Sequence, residues 1–254
     1  MEKNHAPPRR PIVIIPARMA STRLPGKPLA GIHGVPMIVH VLKRALESDI
    51  GPVAVACDGA EIANAVEKAG GKAVLTNPDH ASGSDRIWQA LKALEGESKG
   101  ASYDAVINVQ GDLPSIDPAA IRAAWEGLGD PQTDIATLAV AIKTEGEKTA
   151  SQVVKAVIEF EEGKNHGRAL YFSRRAVPWG DGPLYHHVGL YAYRRNALER
   201  FVTAPPSQLE RREKLEQLRA LALGLYIGVT VIDTVPLGVD TPEDLETARR
   251  LLSK

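Results

Sequence analysis

Three cations fall within ten residues near the start of the chain: Arg18, Arg23 and Lys27, in the stretch "IIPARMASTRLPGKPL" (14–29). Ser21, Thr22 and Gly26 lie between them, and no apolar period runs through the stretch. Backbone N–H groups and fixed cations together make a cradle for phosphate. A solvated basic loop would be written the same way, so the residues alone leave both readings open. Two familiar phosphate loops are excluded. A Walker A loop needs glycine where Ser21 stands and a hydroxyl residue where Pro28 stands, and no G-x-G-x-x-G follows the first apolar run. Carboxylates close two later apolar runs: Asp58 after "VAVAC" and Asp112 in "NVQGD".

Those groups need elements to position them. "IVII" (12–15) is a continuous apolar run ended by Pro16, as in a strand buried on both faces. Pro36 can open a helix at its first position, with Met37, Val41, Leu42 and Ala45 on one face. Strands at 53–57, "KAVLT" and 104–112 alternate with helices at 60–70, 84–95 and 118–128. That alternation predicts βαβ units and a mostly parallel α/β sheet. Ligands of such sheets sit beyond the carboxyl ends of the strands, where the cationic loop, Asp58 and Asp112 all fall. From about Asp134 the pattern changes. "IATLAVAI", "VVKAVIEF" and "HHVGLYAYR" read as an added, smaller antiparallel part, followed by a helical stretch at 209–224 and a strand "VTVIDTV". "VDTPEDLETARRLL" is a helix with Thr241 as N-cap, Pro242 at its first position and acids in its first turn. The chain reads as one domain, 1–254, with Met1–Arg10 a loose tail and about 134–220 an insert.

Composition removes other classes. The 254 residues carry 31 Lys+Arg against 31 Asp+Glu, so no global basic footprint for nucleic acid exists. The single cysteine, Cys57, rules out an internal disulfide and a cysteine-based zinc site, and its apolar run makes it a small core residue. No segment approaches the roughly 20 apolar residues of a membrane helix, and the first apolar run is too short for a signal peptide, so the cytoplasm is the expected location.

Read together with "GVPMIVHVLKRA", "HASGSDR", "NVQGDLP", "IATLAV", "ALYFSRRAVPW", "HHVGLYAYR", "LEQLR" and "GVDTPEDLE", the opening stretch closely resembles the CMP-KDO synthetases, the 3-deoxy-manno-octulosonate cytidylyltransferases. The resemblance covers nearly the whole chain. It implies a Rossmann-like, mostly parallel sheet with helices on both faces, of the nucleotide-diphospho-sugar transferase type, with the antiparallel part serving substrate binding and dimerisation. It implies that the anomeric hydroxyl of KDO attacks the α-phosphate of CTP, giving CMP-KDO and pyrophosphate for lipopolysaccharide synthesis. It further implies Mg²⁺, two ions with one brought by CTP, and a cytoplasmic homodimer that engages neither nucleic acid nor membrane.

The resemblance also distributes roles. Arg18 and Lys27 match the triphosphate-binding cations. Arg23 belongs to the same motif, although an ion pair holding the loop reads equally well. Asp112 and Asp240 match the metal carboxylates, and Arg18, Lys27, Asp112 and Asp240 form the catalytic set. Asp240 has a second reading as a helix-start residue. The backbone of Pro16 and Ala17, with Ser82, Gly83 and Arg86, is expected to read the base. Gln110, Arg174, His187, Tyr191 and Gln217 match the sugar contacts, Arg174 as a fork for the acid and His187 as a donor to a hydroxyl. A buried structural histidine is the plainer reading of His187. Asp58 either orients the site or merely ends its strand. Arg175 and His186 read as peripheral, Trp179 as packing. Two features depart from the family pattern: Leu113 where many relatives carry an acid, and "SGSDR" for "SGTER". The nearest rivals are cytidylyltransferases for sialic acid or an amino-substituted KDO; a general sugar-1-phosphate nucleotidyltransferase, whose usual Gly-rich opening is missing here, and a binding module without turnover are the others.

Overall fold

Apolar runs of four to seven residues cannot bury themselves alone, and each finds its partner along a sheet. The computed structural model describes residues 7–97 and 102–253. In chain order its strands are β1 (Pro11–Ala17), β2 (Gly31–Ile32), β3 (Val35–Pro36), β4 (Val53–Cys57), β5 (Lys72–Leu75), β6 (Ala105–Asn108), β7 (Ile135–Ala141), β8 (Lys155–Phe160), β9 (His166–Ser173), β10 (Tyr185–Arg194) and β11 (Ile227–Val231). The helices are α1 (Met37–Leu46), α2 (Ala60–Lys68), α3 (Gly83–Glu97), α4 (Pro118–Glu126), α5 (Glu145–Thr149), α6 (Arg195–Thr203), α7 (Gln208–Glu213), α8 (Gln217–Ala222) and α9 (Pro242–Leu251). The chain divides into two compact units, one of residues 9–122 and 236–254, the other of 123–235 with the segment up to Pro8.

The first unit is the parallel α/β part. β1 pairs in parallel with β4 (Val13 opposite Val53) and with β6 (Pro11 opposite Ala105), and β4 with β5. Ile12 to Ile15, Val53 to Cys57 and Ala105 to Ile107 are buried, as continuous apolar strands covered on both faces must be. α1 turns Met37, Val41, Leu42 and Ala45 inward. Pro36 stands one residue before that helix, as its N-cap and the end of a two-strand ribbon, rather than at its first position. A satellite core of Ile32, Met37, Val239, Leu245 and Ala248 takes in Leu24 from the cationic loop, which anchors that loop between its charges.

In the second unit β7 pairs with β10 antiparallel and with β11 in parallel. β9 pairs antiparallel with both β11 and β8, and β8 also meets β10 through His186 opposite Lys155. The five strands therefore close on themselves. The expected antiparallel part contains one parallel pair, because β11 arrives from three helices rather than from a hairpin. The predicted helix over 209–224 is two, α7 and α8, broken where Lys214 takes a left-handed φ of 56°.

Two further expectations change. Of the tail expected to be loose, residues 1–6 lie outside the described residues. Arg9 and Arg10 donate their backbone N–H groups to the Asp104 carboxylate, and Trp125 Nε1 donates to the carbonyl of buried Pro8. Trp179 is fully exposed rather than packed, carried outward on a loop in which Gly180 and Gly182 hold positive φ. Cys57 is buried, and burial pushes its thiol pKa up. No helix among the described residues is long and apolar enough to cross a membrane.

Candidate active site

A cleft of about 380 Å³ opens at the carboxyl ends of β1 and β6 in the first unit. It lies within the size range of small-ligand sites. Its floor is set by close backbone approach. A Cβ on Gly111 would stand 2.6 Å from the Pro16 carbonyl oxygen, so only glycine lets the turn after β6 press against the end of β1. Gly26, at a left-handed φ of 67°, turns the loop into the tight helical turn Lys27–Leu29, with Pro28 buried behind it. That turn aims Lys27 back at the cleft.

Lys27 Nζ lies 2.7 Å from Asp112 Oδ2 and 2.9 Å from Asp240 Oδ1. Arg23 reaches the other Asp240 oxygen at 2.9 Å. Three segments far apart in sequence thus converge on one ammonium. Burial alone would depress the Lys27 pKa, but the two carboxylates, Asp112 foremost, more than offset it, and the net direction is up. The aspartates are joined through the backbone too, since the N–H of buried Val239 donates to the Asp112 carbonyl at 2.9 Å.

Asp240 precedes α9 and could have been its cap. It is not. Thr241 Oγ1 accepts from the Asp244 N–H, while the Asp244 carboxylate accepts from the N–H groups of both Asp240 and Thr241. The capping box is complete without the Asp240 side chain, which is left for Lys27 and Arg23. Leu113 is buried, and the nearest atom to a Cβ built on Gly238 would be its Cδ2, at 3.9 Å. A carboxylate there would be desolvated, a physical ground for leucine at this position.

The remaining cleft residues divide between lining and support. Arg18 is exposed on the wall and makes no ion pair with a described residue. Pro16, Ala17, Ser82, Gly83, Arg86 and Gln110 line the same cleft. Ser82 caps the start of α3 by accepting from the Asp85 N–H, and its hydroxyl donates to the Asp85 carboxylate. Arg86 is 3% exposed and donates to Thr76 Oγ1 and the Asn77 carbonyl, so its guanidinium braces the wall. Asp58 accepts from the Met19 N–H at 3.0 Å and faces Arg86 at 3.9 Å, which fixes the root of the cationic loop.

Three of the five residues matched to sugar contacts come together in the second unit. The His187 ring lies 5.4 Å from the Tyr191 ring, and Tyr191 and Gln217 line one small gap. Burial drives the His187 pKa down to about 3, with neighbouring His186 adding to the effect, and drives the Tyr191 pKa well up. His187 is neutral at physiological pH. Arg174 does not line that gap. Its Nε, Nη1 and Nη2 donate to the carbonyls of Glu213, Ser151 and Lys214, and its N–H to the Glu213 carboxylate. Three of five guanidinium donors are thereby committed to backbone. Gln110 belongs to the first unit's cleft instead. Sequence reasoning missed Asp244, whose partners Asp240 and Thr241 are its near neighbours in the chain, and Glu213 and Thr137, whose partners lie on other segments. The Thr-x-x-Asp spacing could have found the first.

A family model described as cytidylyltransferase matches residues 12–229. A Rhodospirillum centenum protein named 3-deoxy-manno-octulosonate cytidylyltransferase is 63% identical over 97% of this chain and 95% of its own length. A protein of the same name from a Bradyrhizobium species is 62% identical over 96% of this chain and 97% of its own. This chain belongs to the cytidylyltransferase family. Among solved structures, a CMP:2-keto-3-deoxy-manno-octonic acid synthetase complexed with CTP superposes with a TM-score of 0.87 at 38% identity, covering 96% of this chain and 98% of that one. A 4-diphosphocytidyl-2C-methyl-D-erythritol synthase from Anaerococcus prevotii shares the fold at 13% identity and a TM-score of 0.65.

Proposed function

We propose that this chain transfers CMP from CTP to the anomeric hydroxyl of KDO, releasing pyrophosphate, and that it does so in the cytoplasm as a homodimer serving lipopolysaccharide synthesis. The observation that carries the reading is the meeting of Asp112 and Asp240 on Lys27 at the head of a cation-lined cleft. Charge builds on phosphoryl oxygens and on the leaving pyrophosphate during such a transfer, and preplaced cations stabilise it. Arg18, Arg23 and Lys27 supply those cations. The Pro16–Ala17 backbone with Ser82 and Gly83 presents small polar groups to a base, and Arg86 keeps that wall rigid.

The carboxylate pair fits magnesium. Two hard oxygen donors already meet at one cation, and no cluster of three or more acid, histidine or cysteine side chains exists among the described residues. A protein share of two carboxylates, completed by substrate oxygens and water, suits Mg²⁺. Asp112 and Asp240 would hold one ion and a second would come with the triphosphate. Bound there, magnesium lowers the pKa of the sugar hydroxyl and neutralises phosphate charge. His187, Tyr191 and Gln217 would receive the sugar's hydroxyls. Arg174 retains two donors for its carboxylate.

Pyrophosphate release by the purified protein with CTP, Mg²⁺ and KDO tests the reading, with sialic acid and UTP in parallel. Release with CTP and KDO alone is the expected result. Release only with another sugar acid would keep the cleft chemistry and overturn the sugar.

A further inference from the structure

Thr137 sits in the middle of β7, fully buried, and its Oγ1 lies within bonding distance of three atoms. They are His187 Nε2 at 3.0 Å, the Val188 carbonyl at 3.1 Å and the Leu190 carbonyl at 2.9 Å. A hydroxyl has one proton to give and two lone pairs. Carbonyl oxygens only accept. Were the hydroxyl proton turned to Nε2, its lone pairs would face two carbonyl oxygens at about 3 Å with no proton between them, a repulsive arrangement in a dry interior. With the proton directed at the carbonyls, Oγ1 accepts from the ring, and Nε2 must carry the hydrogen.

The proton count then fixes the other nitrogen. A neutral imidazole has one N–H. If Nε2 holds it, Nδ1 is a bare acceptor, and no described residue bonds Nδ1. The ring is held in place. It meets Phe172 edge-on at 4.9 Å and Tyr191 at 5.4 Å, and the His187 N–H donates to the Val154 carbonyl at 2.8 Å. The register shift in the β10–β7 ladder between Val188 and Tyr191 is what turns two carbonyls toward one threonine.

We propose that Thr137 is a positioning residue that locks His187 as the Nε2–H tautomer, so that Nδ1 accepts a hydrogen bond from a hydroxyl of the sugar. The ligand chemistry follows. A hydroxyl can donate to Nδ1; an ionised carboxylate cannot. His187 therefore selects a hydroxyl-bearing face of the sugar acid and leaves the carboxylate to other groups. The expectation that His187 donates to a hydroxyl is reversed by this assignment. The inference rests on the reading of His187 as a sugar contact.

The test is ¹H–¹⁵N spectroscopy of the full chain labelled at histidine, with the His187 signals assigned by their loss in His187→Gln. In the wild type we expect Nε2 protonated and Nδ1 bare at neutral pH. Thr137→Val should move the proton to Nδ1 or give a mixture. It should also raise KM for KDO about tenfold, the size of one lost hydrogen bond of about 1.4 kcal/mol, with a smaller change in kcat. Thr137→Ser should restore both. A wild-type ring protonated at Nδ1, or a tautomer that Thr137→Val leaves unchanged, overturns the lock. A tautomer that switches while KM stays the same in both Thr137→Val and His187→Gln overturns the sugar contact and leaves the lock standing.

Discussion

The cleft around Lys27 and the aromatic cluster around His187 hold polar groups in opposite electrostatic settings. In the cleft the groups are charged and only partly buried: the side chains of Lys27, Asp112 and Asp240 are 17%, 29% and 46% exposed. In the cluster Thr137, His187 and Tyr191 are uncharged and packed against one another and Phe172, with His187 7% exposed and its protonation suppressed. The difference matches two tasks. A triphosphate and a metal are recognised by charge, which tolerates solvent and gains from cations placed in advance. A sugar's hydroxyls are recognised by direction, which requires fixed tautomers and dry walls. Substitutions should therefore act through charge in one region and through proton placement in the other.

The largest break should come in the cleft. Asp112→Asn keeps the shape and removes one charge from the pair. Losing a group that supports the developing charge costs about 2.7–4 kcal/mol of barrier, or roughly 10²–10³ in kcat. Turnover measured across a Mg²⁺ titration checks it. Near-wild-type turnover at low Mg²⁺ would show that the carboxylate pair is only a salt-bridge partner for Lys27.

The cluster around His187 should respond to pH in the folded state's stability rather than in charge recognition. The His187 pKa falls to about 3 on folding, against an ordinary value near 6.5. Between those values the unfolded chain binds more protons than the folded one, so stability is full above about pH 6.5 and is lost as pH falls toward 3. At pH 5 the loss from this residue is about 2 kcal/mol. Urea unfolding of the wild type and His187→Gln at pH 7 and pH 5 isolates it. The variant should lose less stability on acidification, and an identical loss in both proteins would refute the buried, neutral histidine.

The two regions also differed in how far they could be read from the chain. The parallel unit was legible because its signals are local: apolar runs, the Gly26–Lys27 turn and the "QGD" each fall within a few residues, and the topology places their ends together. Asp240 was ambiguous because a helix-start aspartate and a ligand look alike in sequence. The completed Thr241–Asp244 cap removes the capping role from the Asp240 side chain. The second unit hid more. Thr137 and His187 are 50 residues apart and meet through a strand irregularity that no periodicity announces. The Arg174 fork meets carbonyls at 151, 213 and 214, a backbone target with no residue-type signature. The break in the helix at Lys214 had no glycine or proline to mark it.

The smallest predicted effect separates holding a carboxylate from being one. Thr241→Ala removes the hydroxyl that caps α9, and loss of such a cap costs about 1 kcal/mol. The Asp244 carboxylate would still accept from the Asp240 N–H, and Val239 would still donate to the Asp112 carbonyl, so the backbone that presents Asp240 keeps two of its ties. Denaturant unfolding should show the stability loss while turnover with CTP and sugar changes little. A fall in turnover as deep as that of Asp112→Asn would mean that the cap, and not only the backbone ties, sets the aim of Asp240. The cleft would then depend on positional locking as much as the cluster around His187 does, and the contrast between charge and direction would no longer divide the two regions.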